Sequence, residues 1–127
     1  MAFYAQTTGT QSTDSESLVP MTGLTFTIPE GVGTTAIVIL NVPFAFATGS
    51  NNPGGTFGIS VDGVASSVIG GFTYNEQVPP SSGRVPTTVV VGVPLTNQPQ
   101  TIQALWSGVR GGTVSIDSPA TLTAIMD

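Results

Sequence analysis

Arg84 and Arg110 are the only cations in this chain of 127 residues, which has neither Lys nor His. Arg84 closes residues 72–84, FTYNEQVPPSSGR, where aromatic, hydroxyl, amide, carboxylate and guanidinium groups crowd together. Arg110 lies in a second dense stretch, Leu105-Trp106-Ser107-Gly108-Val109-Arg110-Gly111. Any recognition that needs a cationic hydrogen-bond donor falls to these two side chains. A guanidinium holds its N–H donors in a planar fork, which suits a carboxylate or the neighbouring hydroxyls of a sugar. A sugar also offers an apolar C–H face, and Tyr74 or Trp106 could cover it, with Thr73, Ser81 and Ser82 as short hydroxyl partners. The same residues have plainer uses. Each arginine could form a surface ion pair with Glu76 or Asp117, the acids nearest the dense stretches. Trp106 sits in an alternating segment and is expected in the core. Tyr74 ends a strand beside a loop, so its hydroxyl is expected to face water, and serines and threonines also cap turns.

Other chemistries find little support. The seven acids are Asp14, Glu16, Glu30, Asp62, Glu76, Asp117 and Asp127. Glycoside hydrolysis needs two carboxylates facing each other across a cleft, and no spacing here pairs two; Glu76 with Asp117 is the weak candidate. Calcium needs several oxygen donors at short spacing, and no such loop appears. Without Cys or His there is no disulfide, thiol chemistry, Ser-His triad or imidazole-bound zinc. A formal charge of −5 with two cations argues against nucleic acid and against anionic membrane surfaces. Only 7% of residues are charged, against about 25% in an average domain. So few charges do little to oppose self-association, and an ordered oligomer is expected. The first residues have no basic and apolar leader pattern, so synthesis in the cytoplasm is expected, with later export possible by another route. The longest apolar run, residues 36–40, is far too short to span a membrane.

The elements that must position these residues read as strands. Sixteen Gly and ten Pro interrupt every window in which a helical stripe could form. Strands are expected over residues 2–8, 24–28, 34–46, 56–61, 64–74, 87–95, 101–106, 113–116 and 121–125, with residues 9–17 a polar connector. Pro43 lacks an amide donor, so the third of these should bulge or reach an edge there. Asp62-Gly63 should close a hairpin. Residues 75–84 should form a loop, since Pro79-Pro80 serves neither ladder nor helix. Nine or ten short strands at regular spacing make a β-sandwich or jelly roll of one domain, residues 1–127.

One set of motifs carries a resemblance. Ile39-Leu40-Asn41-Val42-Pro43, Ala47-Thr48-Gly49, Phe72-Thr73-Tyr74, Val78-Pro79, Gly83-Arg84, Val109-Arg110-Gly111 and Ile116-Asp117-Ser118 follow in order and at near-identical spacing. In this the chain resembles the TNF-like, fucose-binding N-terminal domain of the Burkholderia-type bacterial superlectins. The match runs over residues 39–125 and is faint over 87–104. The resemblance implies a TNF/C1q-like jelly-roll β-sandwich, assembled as a homotrimer with three sites for L-fucose between protomers. It implies no catalysis, metal or cofactor. Thr73, Tyr74 and Arg110 would come from one protomer, and Ser81, Ser82 and Arg84 from the next. Ser82 stands where the family has Thr and keeps the hydroxyl. Phe46 and Thr56 each stand where the family has Tyr; the first keeps a ring and the second does not. The alternative is a trimeric jelly-roll head with a structural or protein-binding role and no sugar.

Overall fold

A computed structural model describes residues 1–76 and 83–127. Among the described residues it has eleven strands and no helix: β1 (Ala2–Gln6), β2 (Gln11–Thr13), β3 (Val19–Ile28), β4 (Thr35–Thr48), β5 (Gly54–Val61), β6 (Val64–Ala65), β7 (Gly70–Thr73), β8 (Val85–Pro94), β9 (Gln100–Val109), β10 (Thr113–Ile116) and β11 (Thr121–Met126). They form two antiparallel sheets packed as a sandwich. In the first the order is β1-β11-β4-β10-β2, with β8 on the other edge of β4. In the second it is β3-β9-β5-β6, with β7 also paired to β5.

Alternation along the strands builds the core. Val38 and Leu40 of β4, Phe57 and Ile59 of β5, Ile102 of β9 and Leu122 of β11 are all fully buried. Burying one such side chain contributes roughly 1.5–3 kcal/mol. Trp106 is buried as expected, its ring 6.4 Å from Phe57, which in turn stacks on Phe72 at 6.4 Å.

The expected strands are present, with three departures. The polar connector contains β2, whose short ladder to β10 reaches from Gln11 to Thr13. β3 begins at Val19, and its register against β9 shifts between Pro20 and Thr25, where Gly23 adopts φ +90°. Residues 64–74 are two strands rather than one: β6 pairs the end of β5, and β7 pairs its beginning. Between them the Ser66 hydroxyl accepts the Val68 N–H at 3.1 Å, a local bond that competes with the ladder. Asp62 and Gly63 turn the hairpin with φ of +51° and +82°, the left-handed pair a two-residue connection requires. The expected loop over residues 75–84 falls largely on residues 77–82, which lie outside the described residues.

Pro43 decides which face the second half of β4 presents. The pairing of β4 with β8 runs in register from Thr35 to Val42 and resumes at Ala45 opposite Val85. Before the break Ala36, Val38, Leu40 and Val42 point into the core; after it Ala45 and Ala47 do. The bulge therefore reverses the parity of the strand. Phe46 turns outward because of it, onto the outer face of the first sheet.

Candidate functional site

Arg84 is the residue immediately before β8, and the pairing of Val85 with Ala45 sets it beside Phe46. Its guanidinium carbon stands 3.9 Å from the centre of the Phe46 ring. A terminal nitrogen donates to Oδ2 of Asp117, the residue just after β10. Phe46 pairs Ser115 of β10 on its other side, so the arginine crosses over the ring from β8 towards β10. The ion pair is partly exposed, 38% and 37% for the two side chains, and solvent screening keeps the contribution of such pairs to about 0–1 kcal/mol. Beside it a hollow of about 260 Å³ is lined by Ser12, Phe46, Ser115 and Asp117 among others.

The other arginine belongs to a second cluster, gathered by the backbone of residues 52–54. Arg110 donates to the Asn52 carbonyl at 2.9 Å. The Tyr74 N–H donates to the Pro53 carbonyl at 2.9 Å. Gly54 pairs Thr73 on one side and Val109 on the other. One short segment thus collects Thr73, Tyr74 and Arg110. Gly54 is required there, because a Cβ would lie 1.9 Å from the Phe72 carbonyl oxygen. Arg110 and Gly111 adopt φ of +53° and +72° in the turn closed by Gly112 N–H to Val109 carbonyl at 3.0 Å. Asn, Asp or Gly usually fills the first of these positions, so a guanidinium is presented at a conformational cost. Thr56, Thr73, Val109 and the bare backbone of Gly70-Gly71 line an adjoining depression of about 460 Å³.

Tyr74 joins the two clusters. Its hydroxyl donates to the Gly83 carbonyl at 2.5 Å and accepts from the Ala47 N–H at 3.2 Å. The hydroxyl expected to face water does lie at an exposed position on its Gly83 side, and backbone engages it on both sides; the ring leans on Phe72 at 5.6 Å. Of the remaining expected site residues, Ser81 and Ser82 lie outside the described residues. Within one chain the two guanidinium groups are held by different partners, Arg84 by Phe46 and Asp117, Arg110 by Asn52. Sequence reasoning named Asp117 as a possible partner of an arginine. It did not see Phe46 as the ring beneath Arg84; the parity change at Pro43 was the signal that could have found it. Among the described residues no group of three acidic side chains converges as a metal site.

Comparison with known proteins gives one match that names a family. The model of the Bc2l-C N-terminal domain matches residues 4–125, and the chain belongs to that family. No curated protein matches the sequence. Among solved structures, the chain is similar to dimeric latent PorU from Porphyromonas gingivalis, with 12% identity and a TM-score of 0.55 over 97% of this chain and 12% of that one. The CBM36-1 domain of a multidomain xylanase from the hindgut metagenome of Trinervitermes trinervoides aligns at 14% identity and a TM-score of 0.48, covering 100% of this chain and 98% of that domain. A family 35 carbohydrate binding module from Clostridium thermocellum aligns at 9% identity and a TM-score of 0.44, covering 100% and 99%.

Proposed function

Taking that family membership as the premise, we propose that the chain is a lectin that binds L-fucose and fucosylated glycans. The binding is non-enzymatic and independent of metal. The chain adopts a TNF/C1q-like jelly roll and assembles as a homotrimer with its sites between protomers. The observation that carries the reading is the division of the polar residues into two clusters. Thr73, Tyr74 and Arg110 gather around residues 52–54, while Arg84 is held over Phe46 on the outer face of the first sheet. A site composed from one cluster of each neighbour brings both arginines to one small sugar.

That outer face supports association. Tyr4, Ile37, Val90 and Ile125 are 61%, 43%, 52% and 49% exposed. They lie on four adjoining strands, with Ile37 opposite Ile125 and Ile39 linking Val90 to Thr123 and so to Tyr4. A contiguous apolar sheet face of this kind marks an interaction surface. The same face carries Phe46 and Arg84, so closing it against a neighbour brings a second chain next to the first arginine.

In the site the arginines donate to ring hydroxyls and Thr73 supplies a further hydroxyl, while apolar surface meets the methyl side of the deoxysugar. A hydrogen bond to a charged group contributes roughly 1.5–3 kcal/mol. Arg110→Asn suits the positive φ of the turn and removes the guanidinium. It is expected to keep the melting temperature and to weaken fucose binding at least about tenfold in calorimetry. Unchanged affinity would refute the assignment. Single sites are expected to be weak and the trimer to bind glycan-coated surfaces by avidity. A glycan array without fucosylated hits would favour the protein-binding head instead.

A further inference from the structure

We propose that Phe46 and Asp117 are positioning residues for Arg84, holding its guanidinium in one orientation for a hydroxylated ligand. The proposal rests on the sugar-binding reading and assigns two residues to its Arg84 half. The ring and the carboxylate do different work. The ring, whose centre lies 3.9 Å from the guanidinium carbon, attracts the cation through its face. A guanidinium laid flat on that face keeps its in-plane N–H donors directed past the ring edge, so the ring acts on the tilt of the plane. Asp117, bonded at one terminal nitrogen, sets rotation within the plane. A planar fork with both angles held loses less conformational freedom when a ligand engages it than a loose arginine on an exposed edge.

The clamp is assembled from three strands. Arg84 precedes β8, Phe46 is on β4 and Asp117 follows β10. It exists only because the bulge at Pro43 turns Phe46 outward. A phenylalanine suits the platform, since it has no hydroxyl of its own to compete for the arginine's donors. Asp117 is an exposed acid that ends the strand rather than filling a core position, and among the described residues its side chain is bonded to Arg84.

Two measurements test the proposal separately from sugar binding. Because the chain has two arginines, a nitrogen–proton NMR spectrum of the arginine Nε groups holds two signals, assigned with Arg110→Asn. The Arg84 signal is expected to be displaced by the Phe46 ring current and to lose that displacement in Phe46→Leu. In Asp117→Asn its guanidinium rotation is expected to quicken. An Arg84 signal at the position of an unstructured arginine in the unaltered protein would overturn the clamp, whatever the protein binds. Fucose titration then reads its purpose. Phe46→Leu and Asp117→Asn are each expected to weaken binding about two- to fivefold, with unchanged melting and sedimentation. Asp117→Glu should recover most of the loss, and neither change should matter in an Arg84→Ala background. Equal or tighter binding by Asp117→Asn would overturn the proposal, because the carboxylate would then be competing with the sugar. A clamp visible by NMR in a protein that gives no heat with fucose would instead refute the choice of ligand.

Discussion

Replacing Tyr74 with Phe isolates the one hydroxyl that ties the two polar clusters together. The ring and its contact with Phe72 at 5.6 Å are retained, while the donor to Gly83 at 2.5 Å and the acceptor for Ala47 at 3.2 Å are removed. A hydrogen bond contributes roughly 0.5–1.5 kcal/mol net. The Gly83 side is exposed and can turn to water, whereas Ala47 is a buried residue. The expected loss is therefore about 1.5 kcal/mol, somewhat less than two full bonds. At about 2.1 cal/mol/K per residue, a chain of 127 residues unfolds with an entropy of about 0.27 kcal/mol/K. The melting temperature should fall by about 5–6 °C. Scanning calorimetry at matched protein concentration is the assay, because any assembly makes the midpoint concentration-dependent. A fall of less than about 1 °C would mean that the hydroxyl is solvated after all, and the account of Tyr74 as a link between β4 and the approach to β8 would fail.

Gly54→Ala drives a Cβ into the Phe72 carbonyl oxygen and should cost at least the upper end of about 1–3 kcal/mol, read as a lower denaturant midpoint. It should also weaken fucose binding, since Thr73 pairs at that position; a neutral outcome would contradict the spacing of β5 and β7. The Asp127 carboxylate accepts from the Thr34 N–H at 3.1 Å and its hydroxyl at 3.0 Å, and from the Thr35 N–H at 3.5 Å. These bonds, the Thr34 N–H first, hold it below its ordinary value of 3.8. A carboxylate depressed in the folded state adds stability above the unfolded value, and the addition is lost as pH falls through the folded one. Asp127→Asn should thus melt below the unaltered protein at neutral pH, and the gap should close as the pH falls below 3.8. A gap that persists in acid would show that the carboxylate's charge is not what anchors residues 34 and 35.

Much of the fold was legible because strands report themselves locally. The alternation in residues 101–106, the β-branched run of 87–95 and the turn at Asp62-Gly63 depend on neighbours a few positions apart, and the structure has strands and a turn at those places. Strand ends depend on partners far along the chain. β2 forms its ladder with β10, about a hundred residues on, and β6 and β7 separate because they meet opposite ends of β5. Neither fact has a local signature.

The site divides along the same line. Composition determined that two guanidinium groups would bear any cationic recognition, that Cys and His chemistry was excluded, and that the surface would be poor in charge. The motif order pointed to the family that the match over residues 4–125 identifies. Only the tertiary structure decided which residues surround each arginine. The missing amide at Pro43 was visible in the sequence, but its effect was not: one skipped pairing reverses every later side chain of β4 and places Phe46 beneath Arg84. Residues 52–54 look like an ordinary turn, yet their carbonyls and Gly54 hold together Thr73 and Tyr74 from the end of β7 and Arg110 from the turn after β9. Side-chain chemistry is a property of the residue, whereas proximity is set by register, and register is settled only when both sheets close over one core.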